Sequence, residues 1–485
     1  MSGKHTLIVG CVVFFFILSS TFYCVLSGSG SSRIASVRNI DYSYTIQEIN
    51  LTNIEKHITF LSNLNSRVSG YPEFYNATRY IAEEMRSYGI DVYLENFTLA
   101  VPVVYDAKVT VISPEKISLK AYALWPNLIE TCETPEEGLQ GRLIYAGYGE
   151  LNSFNGKDVN GSIVLMEFNS GRKWTNAIML GAKAVIFIEP ETTTTEEATQ
   201  KFLKIPLDVP RFYVKRSDGE LLKNLLENGK VKVKVDLKMR FEEREVSNVI
   251  GIIEGTDPTL KNEVVVVSAH YDTISVVPEL APGTDDTTGI ATLLELARVF
   301  KKYPSRRTIM LVAFSGHHFA LQGAREFVDK HFDEIGHKIK LLVNLDLSME
   351  KDALVALWIG YFYQYDLDPG RFIWISQRIS NDYMPQLYQL NKNYSGKFIN
   401  AMDIGSWRRY IPFITLDSEP FTVSGGLGFS FVTAMTSKKY LNTPFDNLKN
   451  LNIENVKPQA DIALWIIYNL ANEDQLPECH ATRFN

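Results

Sequence analysis

Basic runs are missing from this chain of 485 residues, in which 49 Lys and Arg stand against 56 Asp and Glu for a formal net charge of −7. A nucleic-acid partner needs a concentrated basic face, so that class of function is excluded. Cysteine is scarce: of the four, Cys11 and Cys24 fall in an apolar stretch, leaving Cys132 and Cys479. No CxxC or Cys/His zinc-finger spacing exists, and the remaining two cysteines fit one disulfide or two free thiols equally well. There is no phosphate loop, no dinucleotide glycine fingerprint and no GxSxG elbow around Ser315. These absences remove the usual nucleotide, hydride-transfer and serine-hydrolase devices. What remains is ordinary globular composition, 45% hydrophobic and 22% charged, with length enough for two or three domains.

The N-terminus departs from that composition. Leu7–Leu26 is uncharged throughout, and about 20 apolar residues span a bilayer as a helix. Residues 1–27 are therefore expected to be an uncleaved signal anchor, followed by a polar linker over 28–45. A cleaved signal at Val25-x-Ser27, giving a secreted protein, is the alternative. The chain is accordingly expected to be a single-pass membrane protein whose bulk is extracytoplasmic, since long domains translocate largely regardless of charge. Asn50, Asn76, Asn96, Asn160 and Asn393 lie in Asn-x-Ser/Thr sequons, which in an exported chain are candidate glycosylation sites.

Helical periodicity runs over 46–64 and 75–88, the latter stopping at Gly89. Strands are expected at 90–97 and 107–112. The pattern then changes over 119–243, where short strands (142–145, 162–167, 184–188) surround a helical 175–180 and a polar loop at 192–197. Beyond residue 243 the pattern of the first segment resumes. The block between reads as an insertion into a domain formed by 46–118 and 244–474, with 475–485 as a tail. In the main segment strands alternate with helices (263–269, 288–300, 307–314, 321–332, 339–345, 413–416, 456–470). That order predicts an α/β sheet with helices on both faces.

In such a sheet, ligands bind outside the carboxyl ends of the strands. Strand 263–269 ends in His270-Tyr271-Asp272, and the loop beyond it carries Thr284-Asp285-Asp286 before a helix. Strand 307–314 ends in Ser315-Gly316-His317-His318, and strand 339–345 ends in Asp346. Single residues of this kind are usually surface groups, but histidines and aspartates converging on one rim are zinc-ligand types.

These residues sit in HYDT at 270, APGTDDTTGIATLLELAR at 281, RTIMLVAFSG at 307, ALQGAREFV at 320, NLDLS at 344 and NTPFDNLKNLN at 442. With SRVSGYPEFYNATRYIAEEMRSYGI at 66, the set resembles the di-zinc aminopeptidase family that includes the glutamate carboxypeptidases, the transferrin receptor, nicastrin and nicalin. DVNGSIVLMEF at 158 and GAKAVIFI at 181 resemble that family's protease-associated insert. The resemblance implies a three-layer αβα sandwich with an inserted mainly-β protease-associated domain, to be added to the N-terminal transmembrane helix expected from the apolar run.

Carried over residue by residue, the resemblance implies His270 as a metal ligand, Asp272 as the carboxylate orienting it, Asp285 as the bridging ligand and Asp346 as the third. Elsewhere the chain departs from the family. His317 stands at the general-base position, His318 at a ligand position, and Asn442 where a histidine ligand is expected; asparagine is a poor zinc ligand. Two inner carboxylates suit one dication, not two. At most one zinc ion is expected, and a pocket without any is the other outcome. The implied function is a membrane-anchored, aminopeptidase-like ectodomain, catalytically impaired and used for binding or assembly. Its partner would be a peptide or protein ligand, a second copy or a membrane complex. The alternative is an exopeptidase working with one metal and His317 or His318.

Overall fold

The computed structural model describes residues 42–358, 360, 370–402 and 415–479. The apolar stretch at 7–26 and the end of the tail lie outside the described residues, among which no helix is long and apolar enough to cross a membrane. Seven strands close a ring: β1 (Asp91–Ser113), β2 (Ile117–Ala123), β3 (Leu139–Tyr145), β4 (Ile163–Glu167), β5 (Ala184–Ile188), β6 (Arg211–Val214) and β7 (Lys232–Ile253). The order is β1-β2-β6-β5-β4-β3-β7, and β7 returns to β1. Val109, Leu119, Leu165, Ile186 and Val233 pack on one face of this sheet, and Val164, Met166, Val185 and Phe187 belong to a second core. The alternation follows the two-residue period of side chains along a strand.

Where two strands are expected between residues 90 and 112, there is one. β1 pairs antiparallel with β7 from Asp91 to Ser113, with register shifts at Val104/Asp106 and Val111/Ser113. Cross-strand hydrogen bonds carry it through the polar residues that interrupt the apolar pattern. This ribbon serves both the ring and the larger sheet, in which β7 is joined by β8 (Val264–His270), β9 (Thr308–Phe314), β10 (Ile339–Asp346), β11 (Leu354–Leu357), β12 (Phe398–Asn400) and β13 (Gly428–Thr433). The order β7-β9-β8-β10-β13-β11-β12 has a parallel centre of β9, β8, β10 and β13.

β8 is buried at every position, as central parallel strands with both faces covered are. Its Val265 and Val267 face a core shared with the helices Leu51–Ser62, Pro72–Ser87, Thr287–Lys302 and Val456–Asn472. Val264 and Val266 face the opposite core, with Ala324 and Phe327 from the helix Gln322–Lys330. These are the three layers. Close packing requires Gly289 on the helix behind β8, because a Cβ there would stand 2.4 Å from the Leu345 carbonyl oxygen.

Local expectations fail where capping chemistry intervenes. The helical stretch 46–64 is split into Ser43–Gln47 and Leu51–Ser62 because the Asn50 side chain accepts from Thr52 N–H and caps the second. The polar loop expected at 192–197 runs into a short helix, Thr195–Thr199, capped by Thr194. Of the strand expected at 413–416, residues 413 and 414 lie outside the described ones, and Thr415 and Leu416 are in no strand. Cys132 and Cys479 are both buried, and no disulfide joins them.

His331, at the end of the helix Gln322–Lys330, links that helix to β1. Its Nε2 lies 2.7 Å from Glu95 Oε1 and its Nδ1 2.9 Å from Glu334 Oε2. Burial favours the neutral ring, but the two carboxylates prevail and raise its pKa. A raised histidine stabilises the fold fully below its unfolded pKa and loses that contribution as pH rises through the folded value. His331→Gln is expected to flatten the fall in melting temperature from pH 6 to pH 9, by less than about 1 kcal/mol of stability after solvent screening. Identical slopes for the two proteins would show that this clamp contributes nothing.

Candidate metal centre

The sheet delivers the expected residues to one rim. His270 ends β8, His317 and His318 follow β9, and Asp346 ends β10. Asp286 immediately precedes the helix Thr287–Lys302. The His270 and His317 rings stack with centroids 4.0 Å apart. His270 Nε2 lies 3.8 Å from Asp286 Oδ1, and His318 Nε2 lies 3.6 Å from Asp286 Oδ2.

Those separations are too long for hydrogen bonds. They lie closer to the ~3.4 Å expected between atoms bound at about 2.1 Å on a tetrahedral ion. The ligand atoms of His270, Asp286 and His318 all lie within 4.8 Å of one another. Both ring nitrogens of His270 and Nε2 of His318 are buried without a hydrogen-bond partner. Buried polar groups are normally satisfied, so this trio fits one divalent cation.

The expected bridging residue is displaced by one position. Asp285 Oδ1 accepts from Ser348 Oγ at 3.0 Å and Met349 N–H at 2.8 Å, so it is spent on the turn after β10. Burial pushes its pKa up to about 7, against the pull of Lys438. Asp286 occupies the position between the two imidazoles instead. Burial opposes its ionisation, but His270 and His318 hold it well below the usual carboxylate range.

Asp272 differs from expectation too. Its oxygens accept from Ser69 Oγ at 3.0 Å and from the His317 N–H at 3.2 Å, so it fixes the loop after β9. The carboxylate beside His270 Nδ1 is Asp417, at 3.6 Å. Asp417 also shares a 2.8 Å hydrogen bond with His317 Nδ1, while His317 Nε2 meets Thr415 Oγ1 at 3.2 Å.

Asp346 is paired within the chain. Its Oδ1 accepts from Lys438 Nζ at 2.7 Å. Burial works against ionisation of Asp346, and Lys438 overrides it, drawing the carboxylate below its ordinary value. Asn442 has a left-handed backbone, φ 62°, and its carbonyl accepts from Val276 N–H; its side-chain oxygen has no partner.

Asp286, Asp417 and Lys438 are the site residues that sequence reasoning did not assign. For Asp286 the doubled aspartate was visible, but not which of the two faces inward. Asp417 follows Thr415 and Leu416, which are in no strand. Lys438 lies in TSKKYLN, where no sequence pattern marks a site residue.

Beneath the rim lies Arg67, buried and donating to the backbone carbonyls of Leu61, Tyr271, Pro282 and Gly283. Desolvation lowers its pKa to about 10, opposed by Asp286, Asp446 and Asp272, so it stays charged. It ties the segment between β8 and the helix Thr287–Lys302 to the helix Leu51–Ser62. Arg67→Leu leaves several buried carbonyls unpaired, each worth about 1–3 kcal/mol, and is expected to lower stability by ~3 kcal/mol or more. A loss under about 1 kcal/mol in denaturant unfolding contradicts that role.

The pattern of peptidase family M28 matches residues 248–467, and that of the PA domain matches residues 136–222. The chain is 25% identical over 356 residues to aminopeptidase YwaD of Bacillus subtilis, covering 71% of this chain and 70% of that protein. It is 29% identical over 139 residues to leucine aminopeptidase 2 of Trichophyton equinum, covering 29% of this chain and 27% of that one. Among solved structures, a zinc aminopeptidase from Bacillus subtilis superposes with a TM-score of 0.57 at 20% identity, over 89% of this chain and 98% of that one. A peptidase M28 precursor from Shewanella amazonensis gives 0.56 at 16%, over 91% and 98%. At those identities the structural likeness establishes the fold. The rim residues from His270 to Lys438 lie within the region that matches peptidase family M28, and the inserted block contains the region that matches the PA domain.

Proposed function

We propose that this chain is an aminopeptidase-like ectodomain whose hydrolytic machinery is impaired, holding at most one zinc ion and serving to bind a peptide or protein partner. The observation that carries this reading is the engagement of both His317 ring nitrogens, Nδ1 by Asp417 and Nε2 by Thr415. A general base must reach the proton it takes within hydrogen-bond distance, and this ring has no free nitrogen to offer a water. The zinc named for the Bacillus subtilis aminopeptidase would be held here by His270, Asp286 and His318. There it would supply Lewis-acid polarisation of a bound carbonyl.

A single-pass tether at 7–26 and an extracytoplasmic location complete the proposal. It is supported by the five sequon asparagines, all of which are exposed. A second reading, a one-ion exopeptidase, is favoured by the same trio, since two histidines and one carboxylate make a sufficient catalytic zinc set.

Metal analysis of the purified full-length chain is expected to find no more than one zinc per chain. Turnover of unblocked aminoacyl and dipeptide substrates is expected to stay at background with zinc added. Chelator-sensitive hydrolysis well above background would establish the second reading instead.

A further inference from the structure

We infer that Lys438 is a resident cation of this site, its ammonium standing on Asp346 as the counter-charge that a metal would otherwise supply. The inference rests on the one-ion reading above and explains what restricts the site to one ion.

The first support is the pairing itself. Lys438 Nζ lies 2.7 Å from Asp346 Oδ1, with side-chain exposures of 15% and 4%. An ammonium withdrawn from water this far persists only when paired. Asp285 and Asp286 also act on it electrostatically, so it faces the whole acidic half of the pocket.

The second support is independent: the loop is built to deliver this side chain. Met435, Lys438 and Asn442 all have left-handed backbones, at φ 55°, 44° and 62°. Such conformations are unfavourable for residues with a Cβ and persist where surroundings enforce them. The enforcement is visible. Glu350, just past β10, accepts the N–H groups of Ser437 at 2.8 Å, Lys438 at 3.0 Å and Lys439 at 2.7 Å, together with the Thr436 and Ser437 hydroxyls. From the inserted domain, Thr195 donates its N–H to the Lys439 carbonyl at 2.8 Å. Its hydroxyl lies 2.7 Å from the carbonyls of Lys438 and Leu441. One carboxylate and one threonine, from different parts of the fold, hold Thr436 to Lys439 together with Leu441 and aim Lys438 inward.

Lysine is a donor without a lone pair when charged and repels a dication. While it occupies Asp346, that carboxylate is withheld from a metal. The His270–Asp286–His318 trio is left as the place for zinc.

The test compares zinc binding by full-length wild type, Lys438→Met and Lys438→Arg, using competition against a chromophoric chelator, with melting temperature as a second readout. Lys438→Met is expected to bind zinc at least tenfold more tightly than wild type and to gain more melting temperature from added zinc. Lys438→Arg, which keeps the charge, is expected to stay within a few-fold of wild type. Should Lys438→Met fail to fold without metal, recovery on adding zinc supports the same conclusion. As a milder variant, Glu350→Gln loosens the loop and is expected to raise zinc affinity by a smaller factor. Equal zinc affinity in wild type and Lys438→Met, with wild type at one equivalent, overturns this inference and leaves the proposed function standing. Two equivalents in wild type overturns both.

Discussion

The ion pair between Lys438 and Asp346 constrains everything else at this rim. Two unit charges about 4 Å apart interact by ~4 kcal/mol at an effective dielectric near 20, so a dication at that distance from an ammonium is opposed by about twice as much. A pocket that contains this lysine therefore resists a cation next to it. The pocket retains Asp285, Asp286, Asp346, Asp417 and Asp446, all buried, and some positive charge must balance them. Arg67 and Lys438 supply part of that balance from within the chain. Asp446 shows the stress of the arrangement: burial and the neighbouring Asp285 and Asp286 raise its pKa well above normal.

Sequence pattern revealed the framework because the framework obeys local rules. β8 reads as a run of valines, and its carboxyl end is where His270 had to be. The αβα layering follows from strands alternating with amphipathic helices, and the inserted block announced itself by a change of residue pattern. What escaped were features decided by contacts distant in sequence. β1 is one strand, not two, because β7, far along the chain, supplies its hydrogen bonds. Asp286 rather than Asp285 faces the imidazoles because Ser348 and Met349 claim the first carboxylate. Lys438 was unreadable as a site residue: three left-handed residues and a remote glutamate turn it inward.

The inserted domain is more than an appendage. Val276 and Val277, in the loop that follows His270 and Asp272, are buried in one of its cores, and Thr195 grips the Lys438 loop from its other edge. The insert thus touches the loops that carry both halves of the site.

Zinc K-edge X-ray absorption of the zinc-loaded full-length chain tests the lysine-restricted, one-ion site most directly. One centre with two imidazole ligands, His270 and His318, and no metal–metal scattering is the expected result. A metal–metal shell at about 3.5–4 Å, the spacing of two-ion hydrolytic sites, would contradict it.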